Sequence, residues 1–203
     1  MKIQIENLTK SFFNKPVFNS FSLEVNSGEK VGLFGPNGSG KTTLLKMISG
    51  IMSIDSGEIK IDEMKIHPED PESRKCVHYM GHSIGLYPGL TGKENISFVS
   101  KLYNKNEAGT QDALSSVGLG EDGKKLVKFY SQGMLQRLKL ATASVLSPNI
   151  LLLDEPKTGL DEDGNSILEK LFTDWKHQKK TMVIVAHDRD WLSEKTDRIV
   201  ELN

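Results

Sequence analysis

Residues Gly35 to Thr43 read Gly-Pro-Asn-Gly-Ser-Gly-Lys-Thr-Thr and fit the spacing G-x-x-x-x-G-K-[ST] directly after an apolar run, Val31-Gly32-Leu33-Phe34. Such a loop suits a polyphosphate. Gly35, Gly38 and Gly40 let the backbone turn tightly and aim its N–H groups inward, so the phosphates sit in a nest of donors at a helix N-terminus. Lys41 would reach the β- and γ-phosphates, and the hydroxyl of Thr42 would hold Mg²⁺. Pro36, Asn37, Ser39 and Thr43 complete the set expected to surround the nucleotide. A glycine-rich turn that binds nothing is the plainer alternative. Against it, Leu44, Leu45 and Ile48 have helical spacing and stop at Gly50, which places the loop between a strand and a helix as the chemistry requires.

A second group of residues supplies the matching acid–base chemistry. Ile150-Leu151-Leu152-Leu153-Asp154-Glu155 is an apolar strand that delivers two carboxylates at its C-terminal end, where open α/β sheets bind ligands. Asp154 is suited to hold Mg²⁺, usually through water, and Glu155 to take a proton from the water that attacks a γ-phosphate. In isolation the pair could equally be a solvated Asp-Glu opening a loop; beside a phosphate loop the catalytic reading is the stronger. Tyr130 to Arg137 precedes a helix with apolar positions Met134, Leu138, Ala141 and Val145, ended by Ser147-Pro148. Ser131 is placed as its N-cap, and with Gly133 it would make an anion site, although most N-cap serines only cap.

Several elements must position these groups. Ile3, Ile5 and Leu8, then Phe21, Leu23 and Val25, predict half-buried strands, and a short hairpin is expected around Ile59 and Ile61. Helix takes over after about Met80. Thr91-Gly92-Lys93-Glu94 is a capping box that opens a helix through Leu102, and a second helix around Gln111 to Val117 ends at Gly118. Apolar strands of the parallel type return at Ile150 to Leu153 and Thr181 to Val185. The expectation is one α/β domain over residues 1–203, with an N-terminal antiparallel β region and an inserted helical subdomain at about 81–147.

The bulk numbers fit one sizeable core in 203 residues. Lys plus Arg is 26 against Asp plus Glu 27, a net charge of -1 with no long basic run, so nucleic acid is not an expected partner. The single Cys76 excludes an internal disulfide and fits a reducing compartment. Met1 to Leu8 alternates like a strand and does not resemble a signal peptide, and no apolar stretch approaches bilayer-spanning length. A membrane role would therefore have to come through another chain.

Taken in order, the phosphate loop, a signature resembling LSGGQ-x-[QR]-R at Tyr130 to Arg137, the carboxylate-ended strand, Gly159-Leu160-Asp161 and His187 resemble the ATP-binding cassette family over essentially the whole chain. The resemblance implies a phosphate-loop NTPase cassette, an ATPase that uses ATP and Mg²⁺, pairs head to tail with a second cassette as a homodimer, and sits peripherally on the cytoplasmic face of the membrane. Each ATP would lie between one phosphate loop and the partner's signature helix. By the same resemblance Phe12 is the aromatic stacked on adenine, with Phe13 as a competitor; Asp161 couples the two sites, and His187 contacts the γ-phosphate.

A narrower likeness lies at Met80-Gly81-His82-Ser83-Ile84-Gly85-Leu86-Tyr87, with Leu90-Thr91 and Glu94-Asn95-Ile96. This stretch is similar to the cytochrome c maturation type of cassette, the ATP-binding subunit of a haem exporter complex, in which a Gly-His pair stands where most cassettes have a Gln. It implies that His82 joins the catalytic site and the Mg²⁺ shell. Tyr130, Gln132 and Met134 depart from LSGGQ in ways also found in drug- and polysaccharide-exporting cassettes. The expected function is ATP hydrolysis driving export by an integral membrane subunit, for haem or cytochrome c biogenesis. The alternatives are export of a drug, lipid or polysaccharide, or a regulatory cassette ATPase with no transport role. Cys76 and His78 share a strand face, with His82 beyond the strand, and their role stays open.

Overall fold

Alternating apolar side chains fold the first 25 residues of this computed structural model into a hairpin; the structure describes residues 1–81 and 85–203. Strand β1 (Ile3–Phe12) pairs antiparallel with β2 (Lys15–Val25), with Phe12 opposite Lys15. The two-residue loop between them, Phe13-Asn14, has φ 47° and 63°, the positive values that a primed hairpin turn demands. Ile5 and Leu8 are three apart, which strict alternation would put on opposite faces. A register shift between them, at Asn7 with φ 49°, returns Leu8 to the buried side. Strand β4 (Ser56–Ile61) adds to the other edge of β1 and turns back into β5 (Met64–Lys65), so the sheet order is β2-β1-β4-β5.

The second sheet is parallel, in the order β6 (Val77–Met80), β7 (Ile150–Asp154), β8 (Thr181–Val185), β3 (Lys30–Phe34) and β9 (Arg198–Glu201). Strands β7 and β8 are buried at every position, so they are continuous apolar runs with no alternation. The two sheets and helix α1 (Lys41–Ile48) share one core. Ile3, Val25, Leu33, Leu44, Ile48, Leu152 and Val183 all have no exposed surface there. Helix α6 (Arg189–Lys195) is capped by Asp188, which accepts from the Trp191 N–H at 3.0 Å, and packs on β3. These elements form one compact unit, made of residues 1–81, 148–155 and 175–203.

The other unit comprises residues 82–147 and 156–174 and is helical. Helix α2 (Gly92–Leu102) begins with the expected capping box: Thr91 Oγ1 accepts from the Glu94 N–H, and the Glu94 carboxylate accepts from the Thr91 N–H at 2.8 Å. Helix α3 (Thr110–Ser116) and α2 both pack on α4 (Gln132–Leu146) around Ile96, Leu114, Leu138 and Ala141. Helix α5 (Glu162–His177) follows, with its last residues in the first unit. Asn95 is fully buried in α2. Its amide donates to the carbonyls of Tyr87 and Thr91 at 3.1 and 2.9 Å and its carbonyl accepts from the Tyr87 N–H at 2.7 Å, which pins the segment leading into the helix. The architecture is mixed α/β, an antiparallel and a parallel sheet with helices. Helices α5 and α6 and strand β9 are elements the sequence pattern did not single out.

Candidate nucleotide site

The phosphate loop joins the C-terminal end of β3 to α1. Gly40, at φ 93°, stands immediately before the helix, and a Cβ there would lie 2.6 Å from Val17 and 2.8 Å from the Phe18 ring. Backbone angle and space both require glycine at this point. No side chain caps the start of α1, so its first N–H groups are left for an anion. Lys41 is 7% exposed and its Nζ donates to the carbonyls of Gly35 and Pro36 at 2.7 and 2.8 Å. The ammonium is thus folded against its own loop, where phosphate oxygens could replace the two carbonyls.

A cavity of about 360 Å³ opens over this loop. Asn37, Gly38, Gly40, Lys41, Thr42 and Thr43 line one side, and Asp154, Glu155 and His187 the other. Register explains the meeting: Leu33 of β3 and Asp154 of β7 both pair with Val185 of β8, so the loop and the two carboxylates leave the sheet at one level. Phe12 and Val17 form an apolar wall of the same cavity. The Phe12 ring also lies 5.4 Å from the Lys10 ammonium, whereas Phe13 is fully exposed at the hairpin tip. Ser39 departs from expectation: its hydroxyl is buried and makes no hydrogen bond, and it faces a second cavity beside Phe18 and Leu202.

Two carboxylates differ sharply here. Asp154 is 7% exposed, and its Oδ2 accepts a hydrogen bond from the Tyr79 hydroxyl at 2.9 Å. Glu155 holds φ 53°, a conformation that costs a non-glycine residue about 1 kcal/mol or more. Its Oε1 lies 3.3 Å from His187 Nε2 without the alignment of a hydrogen bond. Burial raises the Glu155 carboxyl above the usual carboxylate range, opposed by the neighbouring His187. In β6, burial pushes the His78 imidazole down to about 4, and just before the strand it raises the Cys76 thiol, so both are neutral at pH 7.

The signature residues lie in the helical unit. Ser131 caps α4 by accepting from the Met134 N–H at 3.2 Å, and Gly133 passes close to the Gly159 carbonyl, 3.0 Å from where a Cβ would stand. Asp161 does not line the cavity described above. Its carboxylate accepts from the Gly164 N–H at 2.9 Å at the start of α5 and pairs with Arg137, and that guanidinium holds its carboxyl below the usual range. Gln136 Nε2 donates to the Pro156 carbonyl at 2.8 Å, tying α4 to the loop after the carboxylates. Tyr79 and Gln136 are contacts the sequence did not reveal. A period-two reading of β6 and β7 could have put Tyr79 and Asp154 on one face. His82 lies outside the described residues.

A phosphate loop on a parallel sheet, with an acidic strand end beside it, defines a nucleoside-triphosphate-binding α/β protein. Residues 18–158 match the family model described as ABC transporter. The chain belongs to the ABC transporter family, as an ATP-binding cassette of its ATPase class. It is 30% identical over 201 residues to the linearmycin resistance ATP-binding protein LnrL of Bacillus subtilis, covering 97% of this chain and 65% of that protein. It is 35% identical over 209 residues to the spermidine/putrescine import ATP-binding protein PotA of Legionella pneumophila, covering 99% of this chain and 56% of that one. The chain thus spans less than two thirds of the length of both. A solved dimeric bacterial ABC transporter cassette, MJ0796, matches with a TM-score of 0.88 at 25% identity, covering 98% of this chain and 94% of that one.

Proposed function

We propose that this chain hydrolyses Mg²⁺-ATP in the cavity over its phosphate loop, as one of a head-to-tail pair of cassettes, and that the work drives a separate membrane chain. The observation that carries this reading is the convergence of Lys41, Thr42, Asp154, Glu155 and His187 on one cavity. Phe12 would stack on the adenine, and Gly35 to Thr43 would wrap the phosphates. A hard divalent cation takes oxygen ligands, and the Thr42 hydroxyl with the buried Asp154 carboxylate fits that requirement. When bound, Mg²⁺ supplies neutralisation of charge on the β- and γ-phosphate oxygens. Lys41 would exchange its two loop carbonyls for the same oxygens. Glu155, its carboxyl raised by burial above the usual carboxylate range, would accept the proton of the attacking water, with His187 beside it. Ser131 and Gly133 of the second cassette would close the site, with Asp161 linking the two.

Among the described residues no helix is long and apolar enough to cross a membrane; in this reading the membrane subunit is a separate chain and the cassette sits peripherally on its cytoplasmic face. Within the family, the stretch Met80 to Ile96 supports the cytochrome c maturation type, in which export serves haem delivery and His82 joins the site. Two measurements test the proposal. Purified wild-type chain should hydrolyse ATP while Lys41→Ala and Glu155→Gln lose at least about 100-fold in kcat, the scale of removing one preorganised charge or base. Unchanged turnover in Lys41→Ala would sink the site. For the cargo, deleting the gene in its own host should abolish haem-stained c-type cytochromes, restored by wild type and not by Lys41→Ala; normal cytochromes in the deletion would remove the haem reading.

A further inference from the structure

Tyr79 sits opposite Leu152 in the parallel pairing of β6 with β7, and Asp154 is two residues further along β7. Period two puts Leu152 and Asp154 on the same face, so a long side chain at position 79 that leans along the strand meets the carboxylate. Its hydroxyl donates to Asp154 Oδ2 at 2.9 Å. Tyrosine gives that bond a direction, because a phenol of a half-buried ring next to a carboxylate keeps its proton: burial and the Asp154 charge both push its ionisation upward. Gly81 leaves the space the ring occupies. A Cβ at Gly81 would stand 2.4 Å from both the Tyr79 hydroxyl oxygen and the ring carbon that bears it. Any residue but glycine at 81 therefore needs the phenol or the backbone at 81 to shift.

We propose that Tyr79 is a positioning residue for Asp154, committing Oδ2 to the phenol so that Oδ1 is presented to the Mg²⁺ shell, with Gly81 as the clearance that lets the ring reach it. The inference rests on the Mg²⁺-ATP reading of the cavity and adds to it two residues that touch neither nucleotide nor metal. A ligating carboxylate with a fixed partner loses less freedom on binding the cation, and loss of such partners typically weakens metal binding by roughly 10- to 100-fold.

The test is binding of a fluorescent, non-hydrolysable ATP analogue to the full chain, titrated with Mg²⁺, and repeated in EDTA. Tyr79→Phe keeps the ring and removes only the hydroxyl, so it should fold. It should raise the half-saturating Mg²⁺ concentration about 10-fold while leaving EDTA-phase affinity unchanged. Gly81→Ala should do the same, and the double variant should be no worse than either single one, since both act through one bond. A Mg²⁺ midpoint within about twofold of wild type in Tyr79→Phe would overturn the proposal, even if its melting temperature fell, because that is the mark of a bond that only stabilises. Multiplicative effects in the double variant would overturn the role given to Gly81. A wild-type chain whose analogue binding ignores Mg²⁺ would instead overturn the Mg²⁺-ATP reading itself.

Discussion

Glu155 carries a contradiction at the scale of one residue: it is held in a left-handed backbone conformation, with a carboxylate oxygen that is buried and, among the described residues, takes no hydrogen bond. Both features work against the stability of the folded chain. The carboxyl is raised in the folded state, so folding favours its protonated form. The sign follows: ionising it destabilises the fold, fully so above the raised folded value, and the penalty disappears as pH falls below the unfolded value of about 4.3. Glu155→Gln removes the charge without changing shape. It should therefore melt higher than wild type at pH 7.5, by roughly 2–4 °C, the shift about 1 kcal/mol produces in a chain of this size. The gain should shrink towards pH 5. Differential scanning fluorimetry without nucleotide checks it, and a variant that melts lower than wild type at pH 7.5 would mean the carboxylate is stabilising where it stands.

Elements show which parts of this architecture are written locally. The phosphate loop, the Thr91–Glu94 box and the Ser131 cap were legible because each is a pattern within four or so residues, and the apolar runs of β7 and β8 because both strands are buried on both faces. The unnoticed elements have physical reasons too. Helix α5 starts Glu-Asp-Gly-Asn, a turn-like opening, and its buried apolar side chains Leu168, Phe172 and Trp175 come at helical spacing only from its second turn on. Strand β9 has four residues, too short for periodicity, and forms by pairing with the edge of β3. Tyr79 and Asp154 meet across 75 residues, and no local pattern announces that contact. Nor does loop composition tell that Ser39 turns away from the cavity its neighbours line. Asn95 gives an element-scale prediction. Its side chain bonds four backbone groups of residues 87–91 from a fully buried position: the Tyr87 N–H and the carbonyls of Tyr87, Leu90 and Thr91. Asn95→Ala would remove the acceptor of the Tyr87 N–H, while the carbonyls of Tyr87, Leu90 and Thr91 keep the backbone N–H groups of Leu90, Val127 and Asn95, so the loss should be about 1–3 kcal/mol. Hydrogen exchange at residues 85–91 should accelerate at least tenfold while β7 and β8 keep their protection; unchanged exchange there would show that the amide is not what holds the segment.

For the whole molecule, the proposed pairing makes the lifetime of the dimer depend on the chemistry. An ATP held by Lys41 and Phe12 of one chain and by Ser131 and Gly133 of another joins the two until its γ-phosphate is cleaved. Removing the base should therefore trap the pair. Anything that binds the associated state and not the separate chains shifts the equilibrium by mass action, so ATP acts here as the ligand of the dimer. With Mg²⁺-ATP, Glu155→Gln should elute from size-exclusion chromatography at twice the 22.6 kDa of one chain, and with ADP it should elute as a single chain. Wild type should show little of the larger species because it consumes the ligand. Ser131→Arg in the same background separates pairing from nucleotide binding. That side chain begins α4 in the helical unit and does not line the cavity over the phosphate loop, so ATP should still bind each chain. The added bulk at the partner's γ-phosphate should prevent the dimer. If Glu155→Gln and its Ser131→Arg form pair equally well, the signature helix is not part of the closed site; if Glu155→Gln stays single with saturating Mg²⁺-ATP, the sandwich arrangement is wrong for this chain.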